Sequence, residues 1–213
     1  MHPRAPVGIA IRGTGIVALC LWTAAARGGQ PEPGLLAREA ITICQEADQL
    51  PAAERGTMLA SGLTRAEEAV QADPQDAGAH FAIFCNLGKG LMERSGWRLF
   101  GMLGDLHRAR KEIDLALALA PDYTGALAAK GAMLAQLPRL LGGNVEEGAR
   151  LLQSAVALQP DDPKMRLMLA KVLDAIGQRD AARAHAAIAL GILERAGPAN
   201  ELATARIFVA SVQ

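Results

Sequence analysis

The stretch Asp161–Leu190 reads DDPKMRLMLAKVLDAIGQRDAARAHAAIAL, and the fold of the chain can be worked out from it. It contains two amphipathic segments that meet at Gly177, with no room for a strand between them. The pair Asp162-Pro163 supplies a helix N-cap followed by proline at the first helical position. These features predict two antiparallel helices. Because one such pair cannot bury its apolar faces alone, the chain must contain further pairs.

The same helix ending recurs three times along the chain. In each copy a proline closes an apolar helical pattern, an alanine precedes the proline and an aspartate follows it. The three sets are Ala69, Pro74 and Asp76, then Ala116, Pro121 and Asp122, then Ala155, Pro160 and Asp161. Proline ends a helix because it cannot continue the hydrogen-bond ladder, and aspartate caps the next helix. The chain is therefore predicted to be an array of helical hairpins.

With this pattern the chain resembles the tetratricopeptide repeat family. In that family the first helix of each repeat carries a large residue, Leu-Gly and a second large residue, and the second helix carries alanines and a closing proline. Three repeats match in this way: Phe84, Leu87, Gly88, Leu91, Ala109, Ile113, Ala116 and Pro121; Leu127, Gly131, Leu134, Leu152, Ala155 and Pro160; Leu169, Ala170, Leu173, Gly177, Ala182 and Ala189. Residues 35–74 look like a degenerate first copy.

The resemblance covers roughly residues 35–195 and implies an all-α solenoid of about four helical hairpins. The repeats would occupy about residues 35–76, 77–122, 123–161 and 162–195. Residues 196–213 would form a C-terminal capping helix, since the last repeat of a solenoid needs a cap with a polar outer face. Residues 27–34, RGGQPEPG, are expected to be a flexible linker.

Composition favours helices and argues against a nucleic-acid partner. Hydrophobic residues make up 51% of the 213 residues, whereas aromatic residues make up only 3%. The 22 basic and 22 acidic residues are interspersed and give a formal net charge of zero. A nucleic-acid-binding protein usually carries a basic patch or stripe, and this sequence shows neither.

The first 26 residues have the layout of a secretory signal peptide. Arg4 and Arg12 precede the apolar run Thr14–Ala26, which ends in three alanines. We therefore expect an exported protein, located in the periplasm of a bacterial cell envelope. A bilayer span needs about 20 apolar residues, so an uncleaved membrane anchor is the alternative. A lipid anchor on Cys20 is less favoured because leucine precedes it where a small residue is needed.

Cys44 and Cys85 remain after removal of the signal, and export would allow them to form a disulfide. In tetratricopeptide repeats the first helices of adjacent repeats pack side by side. Aligning Phe84 with Ile43 puts both cysteines at equivalent positions of such helices, so a bridge is a hypothesis. The alternative is two buried free thiols, since free cysteine is among the most buried residue types.

An insertion at residues 96–104 departs from the repeat pattern, and the second helix of its repeat is expected to resume near Asp105. The insertion contains Trp97 and Phe100, two of the few aromatic residues of the chain. Two interpretations stay open. These side chains could contact a partner or a membrane surface, or they could fold back into the core, as aromatic residues usually do.

A second insertion, LPRLLGGN, occupies residues 137–144. Pro138 should interrupt the helix, and the two glycines should make the turn. We expect the insertion to lengthen the first helix of its repeat past its partner and to project Arg139. A solvated arginine is the favoured interpretation, and contact with an anion or carboxylate is the alternative. Asn144 with Glu147 then predicts a capped start for the second helix.

Chemistry-bearing motifs are absent from the sequence. There is no H-E-x-x-H pair, no C-x-x-C pair and no G-x-S-x-G elbow, and Gly88-Lys89-Gly90 lacks the rest of a phosphate loop. We therefore predict a protein that is not an enzyme, with no catalytic residues, no metal site and no cofactor.

The resemblance instead implies a concave groove lined by first helices. Mapped onto this chain, the groove would present Lys89, Met92, Gln136, Lys164, Leu167 and Lys171 to a protein or peptide partner. Its middle, Ala128–Ala135, would be small and apolar, and one end basic. This pattern predicts a non-catalytic adaptor or assembly protein that takes an apolar or amphipathic segment with an acidic end. The alternative is a transporter-associated helper that binds a small ligand, which a closed pocket of about 300 Å³ along Ala128–Ala135 would favour.

Overall fold

The structure is a computed structural model that describes residues 32–92 and 99–211. Within those residues it contains nine α-helices, two short 3₁₀ turns and no strand. The α-helices are α1 Leu35–Glu46, α2 Ala52–Ala72, α3 Ala77–Met92, α4 Leu99–Leu119, α5 Thr124–Gln136, α6 Val145–Leu158, α7 Pro163–Ala175, α8 Arg179–Ala196 and α9 Ala199–Ser211. The 3₁₀ turns are Ala47–Gln49 and Arg139–Leu141.

The helices pair as consecutive antiparallel hairpins, α1 with α2, α3 with α4, α5 with α6 and α7 with α8. The final helix α9 packs against α8. This architecture confirms the predicted all-α solenoid of four hairpins with a C-terminal capping helix. The predicted signal peptide and most of the linker lie outside the described residues.

Local sequence signals set the helix boundaries. The Asn144 side chain accepts a hydrogen bond from the backbone N–H of Glu147 at 3.0 Å and so begins α6, as predicted. Asp162 caps α7 in the same way, accepting from Met165 N–H at 3.0 Å. Gly177, with φ 79°, takes the left-handed conformation that ends α7 and that glycine adopts without steric cost.

Two boundary predictions are wrong. The second helix of the second repeat begins at Leu99 rather than near Asp105, so the end of the 96–104 insertion is helical. Single glycines such as Gly104 cost a helix interior only about 1 kcal/mol each, so they did not stop it. The 137–144 insertion does not lengthen α5, which ends at Gln136. Leu137 is extended because the residue before a proline is disfavoured in the helical region.

The junction between the first and second repeats, where α3 packs against α1 and α2, is closed by small residues. A Cβ added at Gly62 of α2 would lie 2.1 Å from Asn86 Oδ1 and 2.8 Å from Ile43 Cγ2. Asn86 is 1% exposed, and its Nδ2 donates to the backbone oxygens of Ala40 at 3.0 Å and Ala82 at 2.9 Å. The backbones of this junction therefore approach closely at Gly62.

The junction between the second and third repeats, where α5 packs against α3 and α4, is filled by rings instead. Phe81 of α3 meets Tyr123, which precedes α5, edge to face with centroids 5.0 Å apart. Phe84 and the fully buried Ile113 of α4 belong to the same apolar cluster, and Met133 of α5 packs on it. Large side chains therefore keep the backbones of this junction further apart than at the first.

Candidate partner-binding groove

Three of the predicted groove residues are exposed on consecutive first helices. Met92 at the end of α3 is 75% exposed. Gln136 at the end of α5 and Lys171 on α7 are also exposed. Binding of a partner by these three residues stays a prediction.

Lys89 does not point freely into the groove. Its Nζ donates to the backbone oxygen of Cys44 at 2.9 Å and to Asp48 Oδ2 at 2.7 Å, which ties α3 to the end of α1. The expectation of a free cation at Lys89 is corrected. Its charge is neutralised by an acidic residue that no repeat motif marks and that lies 41 positions earlier in the chain.

Leu167 is only 8% exposed and packs with Leu193 of α8 and Ala205 of α9. The expectation that it lines the groove is wrong, because the capping helix covers its position on α7. Lys164 pairs with Glu201 of α9, Nζ to Oε1 2.9 Å, although its side chain remains 69% exposed. The sequence predicted the cap but did not show which side of α7 it would cover.

The pKa of Lys164 is raised, first by the hydrogen bond to Glu201 and further by the negative charges of Glu201, Asp162 and Asp48, whereas partial burial opposes the shift. Asp48 lies in the turn between α1 and α2, and its contribution to the raised pKa of Lys164 is the smallest of these. With Lys89 and Lys164 both paired to acids, the basic end of the predicted groove is reduced to Lys171.

The two cysteines of the described chain form a disulfide in the structure. The Cys44 and Cys85 sulfur atoms lie 2.05 Å apart and the Cα atoms 6.2 Å apart. The bridge joins α1 to α3, the first helices of adjacent repeats, beside the Lys89–Asp48 ion pair. Cys44 is fully buried, whereas Cys85 is partly exposed.

The aromatic residues of the first insertion are not placed by the structure. Trp97 lies outside the described residues. Phe100 lies in the first turn of α4, and its side chain is likewise not described. For Trp97 and Phe100, contact with a partner and burial in the core both remain predictions. Arg139 of the second insertion does project, with a side chain 87% exposed and Glu146 at 3.9 Å.

Two surface cavities lie at the first repeat. One, of about 450 Å³, lies at the edge where α2 turns into α3 and is lined by residues that include Leu36, Asp73 and Leu119. The other, of about 380 Å³, lies between α2 and α3. Neither includes Ala128–Ala135, the segment on which the small-ligand alternative depends. Ala135 instead faces α6, where a Cβ added at Gly148 would lie 3.1 Å from the Ala135 Cβ.

The buried His80 links the two helices of the second hairpin. His80 of α3 contacts Glu112 of α4, Nδ1 to Oε2 2.6 Å, and its Nε2 lies 3.0 Å from the backbone oxygen of Pro74. Among residues 32–92 and 99–211, no three His, Cys, Asp or Glu side chains come together as metal ligands. In the same part of the chain, no helix is both long and apolar enough to cross a bilayer.

Comparison with known proteins gives a family match in the C-terminal repeats. The tetratricopeptide repeat family model matches residues 140–200, which run from the α5–α6 turn to the start of α9. A search of curated proteins found no match.

Solved structures similar to this chain include three bacterial proteins. MamA from Desulfovibrio magneticus RS-1 is 18% identical with a TM-score of 0.49, over 85% of this chain and 95% of that one. A thermophilic tetratricopeptide repeat protein from Thermus thermophilus is 23% identical with a TM-score of 0.44, over 81% and 98%. PilF of Pseudomonas aeruginosa is 17% identical with a TM-score of 0.34, over 83% and 90%. At these values no property transfers from any of them.

Proteins of the matched family share a general role. Tetratricopeptide repeats act mainly as scaffolds for protein–protein interaction. The family match covers α6, the fourth hairpin and the start of α9, and the first two hairpins show the same helix pairing. Residues 140–200 are therefore similar to tetratricopeptide repeats, and the described chain is an array of helical hairpins.

Proposed function

We propose that the protein is a non-catalytic adaptor of the bacterial cell envelope that binds a protein or peptide segment along its first helices. The observation that carries the proposal is the exposure of Met92, Gln136 and Lys171 on three consecutive first helices, α3, α5 and α7. We call this set the groove triad.

The chemistry of the groove triad suits an amphipathic segment. Met92 offers a flexible apolar contact that adapts to differently shaped side chains. Gln136 can donate and accept hydrogen bonds, and Lys171 supplies a positive charge. Between them, α5 carries the small residues Ala128, which is buried, and Ala132, which is half-buried. A bound segment would place apolar residues near α3 and an acidic residue near α7.

The disulfide supports the envelope location. Disulfides persist in exported proteins and are rare where cellular thiols keep cysteines reduced. The Cys44–Cys85 bridge agrees with the apolar N-terminal run that predicts export. Both features favour an oxidising compartment over the cytoplasm.

Affinity capture with matched variants tests the proposal. The exported protein is purified from its own cells as wild type, as Met92→Glu and as Ile188→Glu. Ile188 lies on the second helix α8 and is 47% exposed, so its variant adds the same charge outside the groove triad. We expect Met92→Glu to weaken partner binding by about tenfold or more, as loss of a central interface contact does.

The Ile188→Glu variant should bind like wild type, and both variants should keep the wild-type melting temperature. Equal retention of the partner by all three proteins would refute binding at the groove triad. Loss of binding in Ile188→Glu alone would move the interface to the second helices.

A further inference from the structure

The turn between α5 and α6 holds a leucine almost completely in solvent. Leu140 is 99% exposed, and the next residue, Leu141, is 38% exposed. Burial of a leucine side chain is one of the larger stabilising contributions available to a fold, and here the fold does not use it. The exposure makes this turn a candidate for contact with something outside the chain.

The turn is held by backbone hydrogen bonds rather than being slack. The backbone oxygen of Pro138 accepts from Leu141 N–H at 2.9 Å and from Gly143 N–H at 3.0 Å. Asn144 N–H donates to the backbone oxygen of Leu134 at 2.8 Å. Leu140 is thus presented by a fixed backbone, which lowers the entropy lost when it contacts something else.

Two glycines and an arginine also stabilise the conformation of this turn. Gly142 has φ 76°, a conformation that favours glycine, and a Cβ added at Gly143 would lie 1.7 Å from the Leu137 oxygen. The guanidinium of Arg110, on α4, donates to the backbone oxygen of Leu141. The turn is therefore braced against the neighbouring repeat.

A positive charge stands beside the exposed leucine. Arg139 is 87% exposed, and its nearest acid, Glu146, lies 3.9 Å away with 63% of its own side chain exposed. An ion pair so open to water contributes little, so the guanidinium is available to another anion at small cost. The turn therefore presents an apolar tip, the side chain of Leu140, with the positive charge of Arg139 beside it.

A second exposed leucine lies on the helix that braces the turn. Leu103 of α4 is 62% exposed and precedes Arg110 by seven residues. Two turns separate these positions, so both lie on the same side of α4, about 10 Å apart along its axis. Leu103 therefore adds apolar surface on the side of α4 that contacts the turn.

We infer that this turn is a membrane-contact element: Leu140 enters the interfacial region of an anionic bilayer while Arg139 meets a lipid phosphate. The tip is convex, and neither of the two cavities lies beside it. A protein partner would have to supply a matching pocket, whereas a bilayer deforms around a protruding apolar side chain. Peripheral binding of this kind combines buried apolar area with attraction to anionic lipids.

The contact is independent of any anchoring by the N-terminal segment. Gly34 N–H donates to Asp76 Oδ2 at 2.8 Å, which fixes the entry of the chain at the edge where second helices turn into first helices. Leu140 lies at the opposite edge, one helix length away. The element is therefore separate from the signal segment, one of the two membrane routes expected from the sequence.

Quenching of tryptophan fluorescence by brominated lipid reports directly on how deeply position 140 enters the bilayer. Leu140→Trp is made in a Trp22→Phe/Trp97→Phe background, so that one indole reports. The matched control is Ile207→Trp in the same background, since Ile207 of α9 is 73% exposed on a different helix. Both proteins are mixed with vesicles of phosphatidylglycerol and phosphatidylcholine, or of phosphatidylcholine alone, carrying brominated chains.

We expect quenching of Leu140→Trp on the phosphatidylglycerol vesicles and none of Ile207→Trp. Adding Arg139→Gln to Leu140→Trp should weaken this binding about fivefold, the usual effect of one basic residue at an anionic surface. Unquenched Leu140→Trp, or equal quenching at both positions, overturns the inference. Unquenched Leu140→Trp together with loss of a captured protein in Leu140→Asp would assign the tip to a protein contact instead.

Discussion

The two junctions between the first three repeats are built in opposite ways. At the first, Gly62 and the alanines of α1 and α3 bring backbones together, and buried Asn86 and the Cys44–Cys85 bridge join them. At the second, Phe81, Phe84 and Tyr123 separate the helices with rings. Added side-chain volume should therefore destabilise the first junction, and lost side-chain volume should destabilise the second. The same repeat pattern is thus compatible with two different kinds of packing between repeats.

The largest effect is expected at the second junction. Phe84→Ala removes a ring that is 9% exposed in the cluster shared with Ile113 and Tyr123. Loss of such a side chain costs about 3–5 kcal/mol because the cavity left behind closes only in part. Chemical denaturation measures the change in the free energy of unfolding. A loss below about 1 kcal/mol would show that the rings do not hold this junction.

The disulfide should give the next largest effect. The bridge closes 41 residues of chain, so replacing both cysteines with alanine should lower the free energy of unfolding by about 2–4 kcal/mol. Peptide mapping of the exported protein under non-reducing conditions provides the control. Finding Cys44 and Cys85 as free thiols in denatured wild-type protein would contradict the bridge and remove this support for export.

A pair of glycine substitutions tests the first junction by the sign of their effects. Gly62→Ala should destabilise by about 1–3 kcal/mol, because its Cβ would meet Asn86 and Ile43 at a tight contact. Gly56→Ala on the same helix meets nothing within 4 Å and should stabilise by about 0.5–1 kcal/mol. The melting temperatures of the two variants, compared with that of the wild type, show whether the two changes in stability have opposite signs. Equal shifts in the same direction would refute close packing at Gly62.

The smallest effect lies away from both junctions, in the α7–α8 hairpin. Burial, and then the charge of Arg166, lower the pKa of His185 below 6.5. Stability from the neutral imidazole is therefore present above pH 6.5 and lost as the pH falls through the lowered pKa. His185→Gln should flatten the decline of stability in mild acid by less than about 1 kcal/mol.

His107→Gln is the control for that experiment, since His107 is exposed on α4. Melting temperatures measured between neutral and mildly acidic pH should follow the wild-type curve in this variant. A flattened curve in His107→Gln, with His185→Gln unchanged, would remove His185 from the account.

Sequence reasoning predicted the features that depend on local pattern. Pro160, Asn144 and Gly177 mark helix boundaries through backbone chemistry that neighbouring residues cannot change. A glycine inside a helix, such as Gly62, usually has a packing reason, so a close approach at this position can be inferred from the sequence. The positions of the two cysteines could be compared because the repeat aligns them.

The features missed depend on which surfaces meet. The cap α9 covers Leu167, and Asp48 neutralises Lys89, through contacts between segments with no shared pattern. The start of α4 at Leu99 differs from the expected start near Asp105 because the glycines of this segment do not stop a helix. The exposure of Leu140 can be predicted only from its position in a turn between Pro138 and two glycines, because a leucine by itself does not show whether it is buried.

Site-specific photocrosslinking in living cells tests the central claim most directly. A photoreactive residue is placed at Met92, at Gln136, at Lys171 and, as the control, at Ile188 on α8. The account predicts one defined protein crosslinked from the three groove positions and not from the control. Crosslinks to that protein from Ile188 alone, or none from any groove position while the protein is folded and exported, would contradict it.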